Sequence, residues 1–124
     1  MNQHTEQTIG IVGGGLMGHG IAYLFAAASH HVNVFEPFAQ VLDALPRRLH
    51  AIVDLLGDDP SLLHRIAARD SLPAAMRDAD WVFEAAPEKL ALKQEIFAAI
   101  EPLVAPTTVL ASNRFGDSVD RDRS

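Results

Sequence analysis

The 124-residue chain has no cysteine, which excludes a disulfide framework, a thiol nucleophile and a thiolate metal site, and suits a reducing compartment. Aromatic residues are scarce, at 6%, and so are cations: ten Lys plus Arg stand against sixteen Asp plus Glu, a formal net charge of −6. That balance argues against a nucleic-acid partner, because domains that grip a phosphate backbone concentrate positive charge. Between Glu6 and Glu36 there is no Asp, Glu, Lys or Arg at all. Such a stretch invites the reading of a signal sequence or a membrane helix. It carries six Gly and His19 between Thr8 and Ser29, however, and the preceding residues lack Lys and Arg, so neither reading suits it. The expected setting is the cytoplasm, with no membrane partner.

What is present is ordinary for one domain: 48% of the chain is hydrophobic, although nineteen of those residues are Ala, so the core is expected to be modest. Thr8 to Val12 is a short β-branched run halted by Gly13, Gly14 and Gly15, after which Leu16, Met17, Ile21, Leu24 and Phe25 recur at helical spacing. His31 to Glu36 alternates as a second strand and is stopped by Pro37. Phe38 to Leu56 is periodic through Leu45, Leu49, Ile52 and Val53, with Pro46 expected to bend the helix or split it in two. Leu62 to Arg69 stays open between a helix end and a short strand at Ile66 to Ala68. Trp81 to Ala85 predicts a buried strand, Pro87 the first turn of a helix striped by Ile96, Phe97, Ile100, Leu103 and Val104, and Thr107 to Ser112 a last strand. This alternation predicts an α/β fold, a doubly wound parallel sheet over residues 8–113 with helices on both faces. Residues 1–7 read as a flexible leader. Residues 114–124 alternate Asp and Arg with little to bury and read as a disordered tail.

Gly13, Gly15 and Gly18 spell GxGxxG between strand and helix. In a dinucleotide fold the first makes the tight turn, the second lets a pyrophosphate approach the backbone, and the third lets the helix lie against the strand. The loop Gly13, Gly15, Leu16, Met17 and Gly18 would then hold a phosphate on the helix N-terminus without any Lys. A glycine-rich turn can also exist for packing alone. Glu36 weighs against that, since it closes the second strand twenty-one residues after Gly15, where an acid accepts hydrogen bonds from an adenosine ribose. A 2′-phosphate would meet that carboxylate with no cation nearby, so the expected cofactor is NAD rather than NADP. Gly20, inside the helix, is expected to mark close packing. No metal site is expected, because His30 and His31 point to opposite faces of a strand and no HExxH spacing exists.

The segments IGIVGGGLMGHGIAYLFA, HVNVFE, DADWVFEAAPEKLALKQEIFAAI and VLASN resemble the NAD-binding domain of the 3-hydroxyacyl-CoA dehydrogenases over residues 8 to 113. The most specific stretch is EAAPExxxxK. The resemblance implies a Rossmann-type sheet, Glu88 and Lys93 near the nicotinamide ribose, and Ser112 and Asn113 beside the nicotinamide and substrate. Family members usually carry Asp where this chain has Glu36, so the ribose contact is expected with a longer arm. The family continues after Ser-Asn with Thr-Ser, a catalytic His paired with a Glu, and a helical domain that binds acyl-CoA. The resemblance therefore implies a sheet incomplete at its C-terminal end, a tail arising from a shifted reading frame, no catalytic His in this chain, and acyl-CoA as partner only with that further domain. A non-catalytic NAD-binding module or subunit is the alternative.

Overall fold

The computed structural model describes residues 6–85 and 89–112. The expectations for Pro87, Glu88, Asn113 and the tail lie outside them. In chain order the elements are β1 (Thr8–Val12), α1 (Leu16–Ala27), β2 (His31–Phe35), α2 (Ala39–Leu56), a 3₁₀ turn (Pro60–Arg65), β3 (Ile66–Arg69), α3 (Leu72–Met76), β4 (Trp81–Glu84), α4 (Leu90–Ile100), a second 3₁₀ turn (Glu101–Leu103) and β5 (Val109–Ser112). The strands pair in parallel in the order β3-β2-β1-β4-β5.

Alternation along β1 separates two cores. Ile9 and Ile11 face α1 and α2, packing with Ala22, Tyr23, Leu45, Leu49 and Val53, while Val12 joins Ala75, Met76, Val82 and Ile100 on the side of α3 and α4. With both faces covered, the central strand β1 is apolar rather than amphipathic. Gly10, also facing α3, is required there: a Cβ would stand 2.9 Å from the Ala75 carbonyl oxygen. Tyr23 is nearly enclosed and donates its hydroxyl to Asp58, beyond the end of α2. That hydrogen bond, with burial and the Asp58 charge, pushes the phenol up to about 12.

Several expectations are corrected. Pro46 does not split its helix, since α2 runs unbroken for 18 residues. An interior Pro costs about 3 kcal/mol. Leu45, Leu49 and Val53 are buried on both sides of it, and each contributes about 1.5–3 kcal/mol by burial, so the stripe outweighs the proline. The ambiguous segment contains both a 3₁₀ turn and β3. Helix α3 was not foreseen; Ser71 caps it by accepting from the Ala74 N–H at 3.2 Å. Helix α4 runs from Leu90 to Ile100 with Lys89 as its extended N-cap. Gln7, read with the flexible leader, is held to β2: its carbonyl accepts from the His31 N–H and its own N–H donates to His30 Nδ1 at 3.1 Å. No helix among the described residues is long and apolar enough to cross a membrane.

Candidate functional site

The sheet order sends the chain from β1 outward through β2 and β3, then back to β4 on the other side of β1. In an open parallel sheet with this reversal of strand order, the ligand crevice lies outside the carboxyl ends of β1 and β4. The glycine turn lines it. Gly13 takes φ 110°, a conformation L side chains avoid, and donates its N–H to the Phe35 carbonyl at 2.8 Å. Gly18 lies so close beneath the turn that a Cβ would stand 1.7 Å from the Gly13 carbonyl oxygen. Gly15 is different, because a Cβ there meets nothing within 4 Å. The fold does not demand glycine at that position. Gly15 is also the N-cap of α1, with no side-chain cap and no acid in the first turn, so the first turn presents its N–H groups and partial positive charge to the crevice. Leu16 opens that helix, and Met17 is exposed.

His19 completes the turn and was not singled out from the sequence. The Gly15 carbonyl accepts its backbone N–H at 2.9 Å and its Nδ1 at 2.7 Å, a contact that requires a proton on Nδ1. Gly20, expected to pack closely, does not: nothing lies within 4 Å of a Cβ placed there.

Glu36 stands at the rim, half-buried, where β2 ends beside the turn. Its Oε1 accepts from the Gly14 N–H at 3.0 Å and its Oε2 from the Phe38 N–H at 2.9 Å. The longer arm thus folds back onto two backbone donors, and each oxygen keeps a further lone pair for a ligand hydroxyl.

On the far side of β1, Lys93 and Ser112 meet. Lys93 is 2% exposed, so it is not the solvated helix terminus its position near the start of α4 suggests, and its ammonium lies 2.7 Å from Glu84 Oε1. Ser112 donates its hydroxyl to the same oxygen at 2.8 Å, with the Lys93 Nζ 3.4 Å from Ser112 Oγ. Glu84, 0% exposed, has its buried charge met by this ammonium and hydroxyl. The alternation of WVFE carries a signal for this pair, since Glu84 shares the buried face of Val82.

A parallel sheet with this switch point, a glycine turn on a helix N-terminus and an acid closing the neighbouring strand define a dinucleotide-binding domain of the Rossmann type. The family model described as "3-hydroxyacyl-CoA dehydrogenase, NAD binding domain" matches residues 8–120, and the chain belongs to that family. Its cofactor is NAD. The chain is 34% identical over 117 residues to a 3-hydroxybutyryl-CoA dehydrogenase of Mycobacterium tuberculosis, covering 86% of this chain and 40% of that protein. It is 30% identical over 112 residues to an L-carnitine dehydrogenase of Streptomyces coelicolor, covering 87% and 35% respectively. Among solved structures it is similar to FadB2 of M. tuberculosis, with TM-score 0.80 and 33% identity over 90% of this chain and 42% of that one. The chain thus spans well under half the length of these relatives.

Proposed function

We propose that the chain supplies the NAD-binding half of a dehydrogenase that oxidises a 3-hydroxyacyl-CoA to the 3-oxoacyl-CoA. The observation that carries this reading is the pairing of an unobstructed Gly15 with a Glu36 carboxylate pinned over the same turn. In this reading Gly13, Gly15, Leu16, Met17 and Gly18 hold the pyrophosphate on the N-terminus of α1, and Glu36 accepts the adenosine ribose hydroxyls. Glu88 and Lys93 stand toward the nicotinamide ribose, and Ser112 and Asn113 toward the nicotinamide and substrate. The chemistry supplied by bound NAD is acceptance of a hydride from the substrate C3.

The hydroxyl proton needs a base. His30 and His31 lie at the amino end of β2, His64 precedes the amino end of β3 and His50 sits on α2, away from the carboxyl strand ends, while His19, beside the glycine turn, has its Nδ1 committed to the Gly15 carbonyl. The 124-residue polypeptide by itself is therefore expected to oxidise no NADH with acetoacetyl-CoA. The lack of cysteine is in keeping with a cytoplasmic enzyme.

Titration calorimetry tests the reading: the chain binds NADH in preference to NADPH, and Gly15→Val abolishes binding while leaving the fold intact. Equal affinity for the two nucleotides removes the role of Glu36, and undiminished NADH binding by Gly15→Val removes that of the turn.

A further inference from the structure

Phe38 is 70% exposed, and neither packing nor capping accounts for it. It occupies the N-cap of α2, a position favoring Ser, Thr, Asp or Asn, whose oxygens satisfy a free helix N–H. Phe38 makes no such side-chain bond. A residue that breaks a local rule without a compensating contact marks a place where function outweighs stability. Its backbone, by contrast, is held from both sides: the N–H donates to Glu36 Oε2 at 2.9 Å, and the carbonyl accepts from the Val41 N–H at 2.9 Å and the Leu42 N–H at 3.1 Å. Pro37, between Glu36 and Phe38, further stiffens the turn. The aromatic ring is thus carried on a rigid backbone two residues from the acid assigned to the adenosine ribose, and Glu36 bonds both Phe38 and the glycine turn.

We propose that Phe38 is the platform on which the adenine of the dinucleotide stacks. In adenosine the base hangs on the ribose carbon next to the one bearing the 2′-hydroxyl, so a ribose held at Glu36 sends its base along the rim rather than into the sheet. A purine is flat and apolar on its faces, and covering it with an exposed ring removes both surfaces from water. Stacking reads no hydrogen-bond pattern, so Phe38 adds affinity for the adenine half while Glu36 sets the preference at the 2′ position.

This inference rests on the proposed NAD site, and calorimetry on the full chain separates the two. Phe38→Ala is expected to weaken NADH and ADP-ribose by the same factor, between about 5-fold and about 100-fold, the range for removing an aromatic partner from a base. Reduced nicotinamide mononucleotide, which has no adenine, is expected to bind the variant and the wild type alike, and Phe38→Tyr is expected to retain NADH affinity. An unchanged urea midpoint is expected for Phe38→Ala, since the ring is mostly in water. If Gly15→Val loses NADH while Phe38→Ala binds it as the wild type does, the platform is refuted and the site stands. Equal weakening of the mononucleotide also refutes the platform. A wild-type chain that binds neither NADH nor ADP-ribose refutes the site and the platform together.

Discussion

Three glycines within six residues offer a test of how the turn is built, because a side chain would clash at Gly18 and meet open space at Gly15 and Gly20. Alanine at Gly18 would place Cβ 1.7 Å from the Gly13 carbonyl oxygen and 2.7 Å from its carbon. Both are backbone atoms, so α1 and the turn must part by about 1.5 Å, against core packing that normally charges about 1–3 kcal/mol for forced expansion. Alanine at Gly20 meets nothing within 4 Å and should gain the helix propensity of Ala over Gly, about 1 kcal/mol. The two substitutions sit on the same helix, so propensity cancels in their difference. Gly18→Ala is expected to be less stable than Gly20→Ala by about 1–3 kcal/mol, a sizeable share of the roughly 6–18 kcal/mol expected for a domain of this size. Gly15→Ala, with φ −74° and open space, should cost only about 0.5 kcal/mol, Ala being the poorer N-cap, yet lose most NADH affinity. Urea unfolding followed by the single Trp81, stacked on Phe83 with ring centroids 6.2 Å apart, reads the stabilities. Equal stability of Gly18→Ala and Gly20→Ala would refute the packing argument.

Three further outcomes are expected. Glu84→Gln removes the carboxylate that lies 2.7 Å from the buried Lys93 ammonium and should cost about 3 kcal/mol; Glu84→Gln combined with Lys93→Met should recover at least half of that in urea unfolding, and no recovery would mean the charge pair is not the cause. Gly10→Ala forces a Cβ to 2.9 Å from the Ala75 carbonyl and should destabilise by about 1–3 kcal/mol, a value that unchanged unfolding contradicts. Tyr23 has its pKa raised in the fold to about 12 by the Asp58 hydrogen bond. Its contribution is therefore present below the unfolded value near 10 and is lost as pH rises from about 10 to about 12; thermal melts should show this alkaline step in the wild type and not in Tyr23→Phe.

The β1, turn, α1, β2 unit was legible because its rules are short-range: a β-branched run, steric demands at fixed glycine offsets, and an acid at a strand end. Helix α3 was not, because LPAAM is too short for a period to show. Of the bend or split that the proline in α2 predicts, the split does not occur, since a local cost is visible in sequence while the buried stripe that offsets it is tertiary. Gly20 reads like Gly18 in the chain, yet only the crossing of α1 over the turn decides which of them has a neighbour. Lys93 was identified by likeness to relatives, but its burial against Glu84 follows from α4 covering the same face of β4 that Val82 occupies.

The two acids flanking β1 show how one residue type is put to two uses by its surroundings. Glu36 is half in water and satisfied by neutral N–H groups, so its charge persists at the rim and its spare lone pairs suit uncharged hydroxyls while repelling a phosphate. Glu84 is sealed from water and must be matched by the Lys93 ammonium, so the pair brings little net charge to its end of the crevice. Between them the N-terminus of α1 offers partial positive charge without a side chain. In the proposed reading this sequence of negative, positive and near-neutral ground follows the ribose, the pyrophosphate and the nicotinamide in turn. A hydride acceptor carrying a positive ring would then be met at the last position by an ammonium whose charge the Glu84 carboxylate compensates.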